Sequence, residues 1–284
     1  MSKETTTMRM IKLLSLCSLL ALGCGDDDTA TDVGVADGGS MDSNVQVDAG
    51  NDAADPMDAA ADTESPDAGE TAEFAALVRG TLFTDDLTAA QEFHDPLAAG
   101  GQDPAMALGD FGHDVHLGTT LLGTTENAFA AVDRWTNLEG AMMFYGNPAF
   151  MEQFGMLFAE PPALELFERA GWHEWGNMDV GDDIEPHYRV IVRGRLRAPA
   201  ADVQADHDLV AMGGEAPAMG AGDMAHIVYL GVEDSQEFLA FDIWNSRENI
   251  EAFYGNPDFQ AAFGALFESP PVVGVYESTD WHQW

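Results

Sequence analysis

Two histidines and two aspartates stand at fixed spacing, and the set occurs twice. His94-Asp95, Asp110 and His113 return as His207-Asp208, Asp223 and His226, inside a shared block H-D-x-x-A-x-G-G-x-x-P-A-M-x-x-G-D-x-x-H that carries no gap. Imidazole titrates near neutral pH and takes metals through a ring nitrogen, and carboxylates do both jobs at lower pH. Three chemistries are open to this block. His94, Asp110 and His113, with His207, Asp223 and His226, are candidate ligands for Zn²⁺ or Fe²⁺. The same histidines, His94, His113, His207 and His226, are candidate general acids and bases. The third reading is scaffolding, in which Gly100-Gly101 and Gly109 form tight turns while Asp and His side chains cap backbone groups. The spacing places one histidine at the end of a first helix and the other at the start of a second strand.

A second shared set follows each block. Asp133-x-Trp135, Phe144-Tyr145-Gly146-Asn147-Pro148, Pro161-Pro162 and Trp172-His173-x-Trp175 return as Asp242-x-Trp244, Phe253-Tyr254-Gly255-Asn256-Pro257, Pro270-Pro271 and Trp281-His282-x-Trp284. Such self-similarity marks an internal repeat. Alternation along the strands predicts that Phe241 and Ile243 face a helix layer while Asp242 and Trp244 turn the other way. On the first strand of that copy Val190 and Val192 take the helix side, leaving Arg193 inward. Arg193 is then expected to meet Asp242, and Arg79 to meet Asp133. Such a pair either fixes sheet register or forms a polar patch in a ligand pocket, with Trp135 and Trp244 as a stacking wall. The phenylalanines of the second helix have the spacing of a core stripe. The Trp-His-x-Trp segments suit an edge strand that clasps the other copy.

These residues need elements to hold them. Each copy reads strand, helix, strand, strand, helix, strand, over residues 74–180 and 186–284, with a short acidic linker between. Tyr188 to Leu196 alternates as a half-buried strand, Ala201 to Met212 reads as a short helix stopped by Gly213-Gly214, and Arg247 to Phe267 is helical around an Asn256-Pro257 break. A βαββαβ unit is ferredoxin-like and leaves one sheet face bare. The other copy is at hand to cover it, giving an α+β fold of two tandem ferredoxin-like repeats packed as an internal pseudo-dimeric barrel. In this element order, with the D-x-W strand, the aromatic helix and the Pro-Pro strand entry, the chain resembles the dimeric α+β barrel superfamily, whose best-known branch is the antibiotic-biosynthesis-monooxygenase-like domains. The resemblance implies barrel formation within one monomeric chain and, for that branch, oxygenation of an aromatic or polyketide-like compound without a bound cofactor.

Charge and cysteine narrow the partners. Against 50 Asp and Glu stand 11 Lys and Arg, a net charge of −39. Such a surface repels phosphate backbones and excludes nucleic acid as a partner. The only cysteines are Cys17 and Cys24, so a fold beginning near residue 74 has no disulfide and no thiolate metal site. Lys3, Arg9 and Lys12 precede an apolar run to Leu22, and Ala21-Leu22-Gly23-Cys24 fits a lipobox. Residues 1–23 therefore read as a lipoprotein signal and Cys24 as the lipidated residue. Residues 24–73, acidic and poor in apolar side chains, read as a disordered tether. The expected place is the cell envelope, with Gly25 after the cysteine favouring the outer membrane. The leading expectation is a membrane-tethered barrel that binds a small hydrophobic or aromatic molecule. A monooxygenase-like enzyme and a metal- or haem-binding protein are the alternatives, and no cofactor is specified.

Overall fold

A closed barrel of eight antiparallel strands forms the centre of the chain, in the order β1-β3-β2-β8-β5-β7-β6-β4. The computed structural model describes residues 72–179 and 187–284. The signal segment, Cys24 and almost all of the acidic segment to residue 73 lie outside the described residues. The first repeat comprises β1 (Phe74–Thr81), α1 (Leu87–Ala107), β2 (Asp110–Gly118), β3 (Ala128–Trp135), α2 (Leu138–Tyr145), α3 (Pro148–Gly155) and β4 (Ala163–Arg169). The second comprises β5 (Tyr188–Arg195), α4 (Ala200–Ala221), β6 (Asp223–Gly231), β7 (Glu237–Trp244), α5 (Arg247–Tyr254), α6 (Pro257–Gly264) and β8 (Val272–Ser278). Each is a ferredoxin-like βαββαβ sheet with its helices on one face. The two sheets join where β2 meets β8 and β4 meets β6, so that neither keeps an open edge.

Alternation sorts the strand residues onto two faces. Ala75, Leu77, Ala130 and Val132 of the first repeat and Ile191, Ile227, Tyr229, Leu239, Phe241 and Ile243 of the second fill the lumen. Ala76, Val78, Phe129, Ala131 and Trp135 pack under the first helix layer, and Val190, Val192, Phe238, Ala240 and Trp244 under the second. The lumen is thus a packed core, not a ligand chamber. Val190 and Val192 take the helix side as expected, but the parity expected for β7 is reversed. Phe241 and Ile243 point inward, while Asp242 and Trp244 point at the helices. The reason is chemical. The lumen beside them is lined by Ile191, Ile227 and Leu239 with Arg189 over the Phe241 ring, whereas on the helix side Asp242 is bonded at both oxygens, by a histidine and by a tyrosine.

The expected Arg79–Asp133 and Arg193–Asp242 pairs therefore do not form. Arg79 and Arg193 do face the lumen, at equivalent positions of the two repeats, and both bond Glu165, at 2.6 and 3.0 Å. Trp135 and Trp244 wall no lumen pocket. They lie fully buried against Phe144 and Phe253 in the helix layers.

The first helix of each repeat is also longer than its glycines suggest. α1 has 21 residues and α4 has 22, and both run straight through Gly100-Gly101 or Gly213-Gly214. A mid-helix glycine costs about 1 kcal/mol against alanine, and burial of one face outweighs it: Ala90, His94, Ala98, Gly101 and Ala105 are buried at helical spacing. A Cβ at Gly101 would sit at ordinary contact distance, 3.5 Å, from the Phe144 and Phe150 rings, so packing alone does not require glycine there. Asn147 and Asn256 end one helix and cap the next, each accepting from two backbone N–H groups ahead of a proline in the first turn.

Candidate functional site: a duplicated Tyr–Asp–His–His–Asp chain

The block's histidines meet across the gap between helix and sheet. His94 lies in mid-α1, not at its end, and His113 lies on β2. Their Nε2 atoms are 3.4 Å apart, and those of His207 and His226 are likewise 3.4 Å apart. All four rings are buried.

Three local features put them there. Gly109 and Gly222 turn helix into strand with φ of +104° and +102°, a conformation that costs glycine nothing. A Cβ at Gly109 would lie 2.5 Å from Asn137 Nδ2, so the turn is also tight. Then β2 breaks register between Asp110 and Gly112, and β6 between Asp223 and Ala225. In a regular strand, residues three apart face opposite sides. The bulge re-aims the first of them, so that Asp110 and His113 line one cavity, as do Asp223 and His226.

Each histidine uses its second nitrogen on a carboxylate. His94 Nδ1 lies 3.0 Å from Asp95 Oδ1, and His207 Nδ1 lies 3.1 Å from Asp208 Oδ1. His113 Nδ1 bonds its cross-strand neighbour Asp133, and His226 Nδ1 bonds Asp242 at 2.5 Å. The remaining oxygens of Asp133 and Asp242 accept from the hydroxyls of Tyr145 and Tyr254. The result is one unbroken chain per repeat: Tyr145–Asp133–His113–His94–Asp95, and Tyr254–Asp242–His226–His207–Asp208. It runs from the buried cavity to a carboxylate with 35% of its side chain exposed in the first repeat and 27% in the second.

The electrostatics set a direction along this chain. Burial lowers His94 and His207 to about 4, so both are neutral and present a free Nε2 lone pair. Burial also disfavours charge on His113, but the adjoining Asp133 outweighs it and raises that histidine. His113 therefore donates to His94, not the reverse. Burial, reinforced by the neighbouring Asp133, pushes Asp110 up to about 7. Burial with Asp242 pushes Asp223 up to about 9. A carboxyl near 7 is a workable acid and base at neutral pH.

A cavity of about 30 Å³ lies against each chain, room for one or two waters. Its other walls are apolar, chiefly Phe144, Phe150 and Phe154 in the first repeat and Phe253, Phe259 and Phe263 in the second. In the first repeat an outer groove of about 700 Å³ shares Leu97, Gly101, Phe144 and Phe150 as walls with the inner cavity. Two phenyl rings thus separate a molecule-sized groove from the histidine pair.

The last wall is borrowed. Trp284 stacks on His113 at 4.5 Å, and Trp175 stacks on His226 at 4.6 Å. Trp175 belongs to the first repeat and closes the site of the second, while Trp284 does the reverse. Trp172 and Trp281 cross in the same way, to His207 and His94. Each site is complete only in the presence of the other repeat.

The structure thus gathers His94, His113, Asp110 and Asp133 into one site and His207, His226, Asp223 and Asp242 into the other. Arg79, Arg193, Trp135 and Trp244 stay outside both. Sequence reasoning missed the part played by Tyr145 and Tyr254, read only as members of an aromatic helix. Their presence in both copies of Phe-Tyr-Gly-Asn-Pro was the available signal. The metal reading lacks its geometry: among the described residues no three His, Cys, Asp or Glu side chains are grouped to hold an ion. A cavity of this size has no room for a porphyrin.

No protein-family model matches the chain, and no curated protein matches it significantly. Solved structures do resemble it. An anthrone oxidase-like protein aligns with a TM-score of 0.56 at 17% identity, over 76% of this chain and 93% of its own. Proteins provisionally assigned as monooxygenases, from Fusobacterium nucleatum and Lactobacillus acidophilus, align at 0.49 and 0.47 with 8% and 9% identity. They cover 75% and 73% of this chain and 94% and 95% of their own. At such identities the likeness is one of fold.

Proposed function

We propose that this chain, a dimeric α+β barrel closed within one polypeptide, takes up small apolar molecules under its two helix layers and exchanges a proton with them. The observation that carries the reading is the Tyr–Asp–His–His–Asp chain, present twice and each time ending on an enclosed apolar cavity. Asp110 and Asp223 line those cavities and are the groups that meet the bound molecule. The neutral His94 and His207 lead a proton onward to Asp95 and Asp208 at the surface. The phenylalanine walls favour an aromatic occupant, which the inner cavity of about 30 Å³ admits only if Phe144 and Phe150 rotate and join it to the outer groove of about 700 Å³.

The likeness in fold to an anthrone oxidase-like protein suggests the compound to try. Removing a proton from the activated CH₂ of anthrone gives a carbanion that dioxygen attacks directly. The sum is R₂CH₂ + O₂ → R₂C=O + H₂O, with the carbon oxidised and dioxygen reduced. The test follows dioxygen uptake by the full-length protein with anthrone at pH 7. Uptake above the spontaneous rate is expected, reduced at least about tenfold in the Asp110→Asn, Asp223→Asn double variant. Uptake equal in wild type and variant would overturn the proton-transfer part of the reading. Failure of the protein to bind any apolar aromatic probe would overturn the whole.

The N-terminal residues support a place for this activity. Cys24, lipidated after removal of residues 1–23, would anchor the acidic segment and hold the barrel off a membrane of the cell envelope, the outer membrane by the Gly25 rule. Metabolic labelling with palmitate should mark the wild type and not Cys24→Ala. Label retained in that variant would end the assignment.

A further inference from the structure

The barrel closes through two equivalent junctions, and only one of them is covered. At the β2–β8 junction the longer hairpin of the first repeat, Thr119 to Asn127, folds over the seam. Leu121 is buried there, 6% exposed, in the core of the second repeat. Thr119 gives its N–H and its hydroxyl to the carbonyl of Val275, at 3.1 and 3.0 Å, and Thr124 Oγ1 accepts from the N–H of Val275 at 2.9 Å. Arg247, at the start of α5, bonds Thr120 at 3.2 Å and ties the hairpin from the other side. This seam thus holds a leucine-bearing turn with a bonding hydroxyl on each flank.

At the β4–β6 junction the hairpin is shorter, Val232 to Gln236, and an open groove of about 450 Å³ remains. The repeat lets the two seams be compared position by position. Leu166 is the counterpart of Val275: Val232 N–H bonds its carbonyl at 3.0 Å, as Thr119 N–H bonds that of Val275. Among the described residues no side chain takes the N–H of Leu166 as Thr124 takes that of Val275. Val275 is fully buried, whereas Leu166 is partly exposed. The neighbouring helix changes too. Beside the covered seam α5 carries Arg247 and Glu251. At the same positions α2 has Leu138 and Met142, which line the open groove, and Met142 is 58% exposed. Apolar side chains left in water at the uncovered seam, where the covered one has charged residues, mark a binding surface.

We propose that the β4–β6 groove docks a leucine-bearing turn of a basic protein partner, in the place that Thr119 to Asn127 fills at the twin seam. The leucine enters beside Leu164, Leu166 and Met142, and an oxygen next to it accepts from the N–H of Leu166. Charge selects the partner. Glu165, Glu233, Asp234 and Glu237 line the groove, and no lysine or arginine does. Arg79 and Arg193 reach Glu165, and Arg195 reaches Asp234 and Glu237. Glu233 has no such partner among the described residues, and the chain as a whole carries a net charge of −39. Cations flanking the leucine are therefore favoured. Residues 24–73 of the chain itself contain neither a leucine nor a cation, so that segment does not fit the groove.

The probe is the turn sequence of residues 118–124, Gly-Thr-Thr-Leu-Leu-Gly-Thr, closed into a ring through two added lysines and titrated into the full-length protein by calorimetry. Saturable binding is expected. Serine in place of the first leucine should weaken it at least about tenfold, the worth of burying one such side chain. Glutamates in place of the lysines should weaken it about threefold or more at low ionic strength. The protein variant Leu138→Arg, Met142→Glu takes the side chains of the covered seam and should lose affinity as the serine peptide does. Met142→Glu alone changes one exposed side chain and should lose part of it with the fold undisturbed. No binding by the wild type, equal binding of the leucine and serine peptides, or affinity undiminished in both variants would overturn the proposal. Self-association of the wild type in sedimentation runs, abolished by Met142→Glu, would overturn it in favour of a second copy of this chain.

Discussion

Asp133→Leu is expected to destabilise the protein by about 3–5 kcal/mol, the usual cost of removing one partner from a buried charged pair. Asp133 is 5% exposed and holds two buried groups at once, the His113 imidazole and the Tyr145 hydroxyl. With leucine in its place His113 loses the neighbour that does most to raise it and leaves Nδ1 without a partner. Tyr145 loses its only acceptor in this chain of bonds. The double change Asp133→Leu, His113→Leu should cost less than the sum of the single ones by about 1–3 kcal/mol, because the second substitution removes a group already stranded. Asp242→Leu should behave alike, since His226 and Tyr254 repeat the arrangement. Urea denaturation at pH 7 measures all of these. Strict additivity would show that the histidine and the carboxylate do not act as one unit.

Much of this site is legible in the amino-acid sequence, because the chain holds its own comparison. The repeat singles out His94, Asp110, His113 and Asp133 with their counterparts, and the element order specifies the ferredoxin-like halves and the barrel. What stays hidden has local causes. Parity on β7 is a contest between two alternating pairs. Phe241 and Ile243 are as well suited to the lumen as to the helix layer, and only the site of Tyr254 decides for the second arrangement. The bulge at Asp110–Gly112 adds one unpaired residue, and no feature of G-D-x-x-H announces it, yet without it Asp110 would point into the lumen. Gly100-Gly101 reads as a stop signal because propensity is local, whereas the helix is kept by the face it buries through His94 and Ala105. The crossing of the Trp-His-x-Trp tails depends on barrel closure, so each repeat considered by itself shows an open cavity.

The two sites are copies but not equals, and the lumen makes them differ. The residue after the site aspartate is Arg134 in one repeat and Ile243 in the other. Arg134 is buried, pairs with Asp179 at 2.6 Å, and its charge eases ionisation of Asp110. No such cation acts on Asp223, whose rise is accordingly the larger. The first site is therefore set for proton exchange near neutral pH, and the second holds its proton into the alkaline range.

That difference predicts how stability depends on pH. Asp223 binds its proton up to about 9 when folded, against an ordinary value of 3.8, so its contribution is full at low pH and is lost as pH rises toward 9. Asp110 acts in the same sense but is spent by about 7. His94 and His207, lowered from 6.5 to about 4, act in the opposite sense: stability rises with pH between those values and is flat above them. Below neutrality the histidines and carboxyls therefore offset one another. Above it Asp223 is left without a counterweight, and the raised His113 adds a loss of the same sign as it discharges. Two pH units of unmatched proton release correspond to about 2–3 kcal/mol. The wild type should lose roughly that much between pH 7 and 9 by urea denaturation. Asp223→Asn, which keeps the acceptor for the Ala225 N–H but has no proton to give up, should lose far less. Asp110→Asn should keep nearly the wild-type slope in that window. Equal losses in wild type and Asp223→Asn would show that the alkaline proton resides elsewhere.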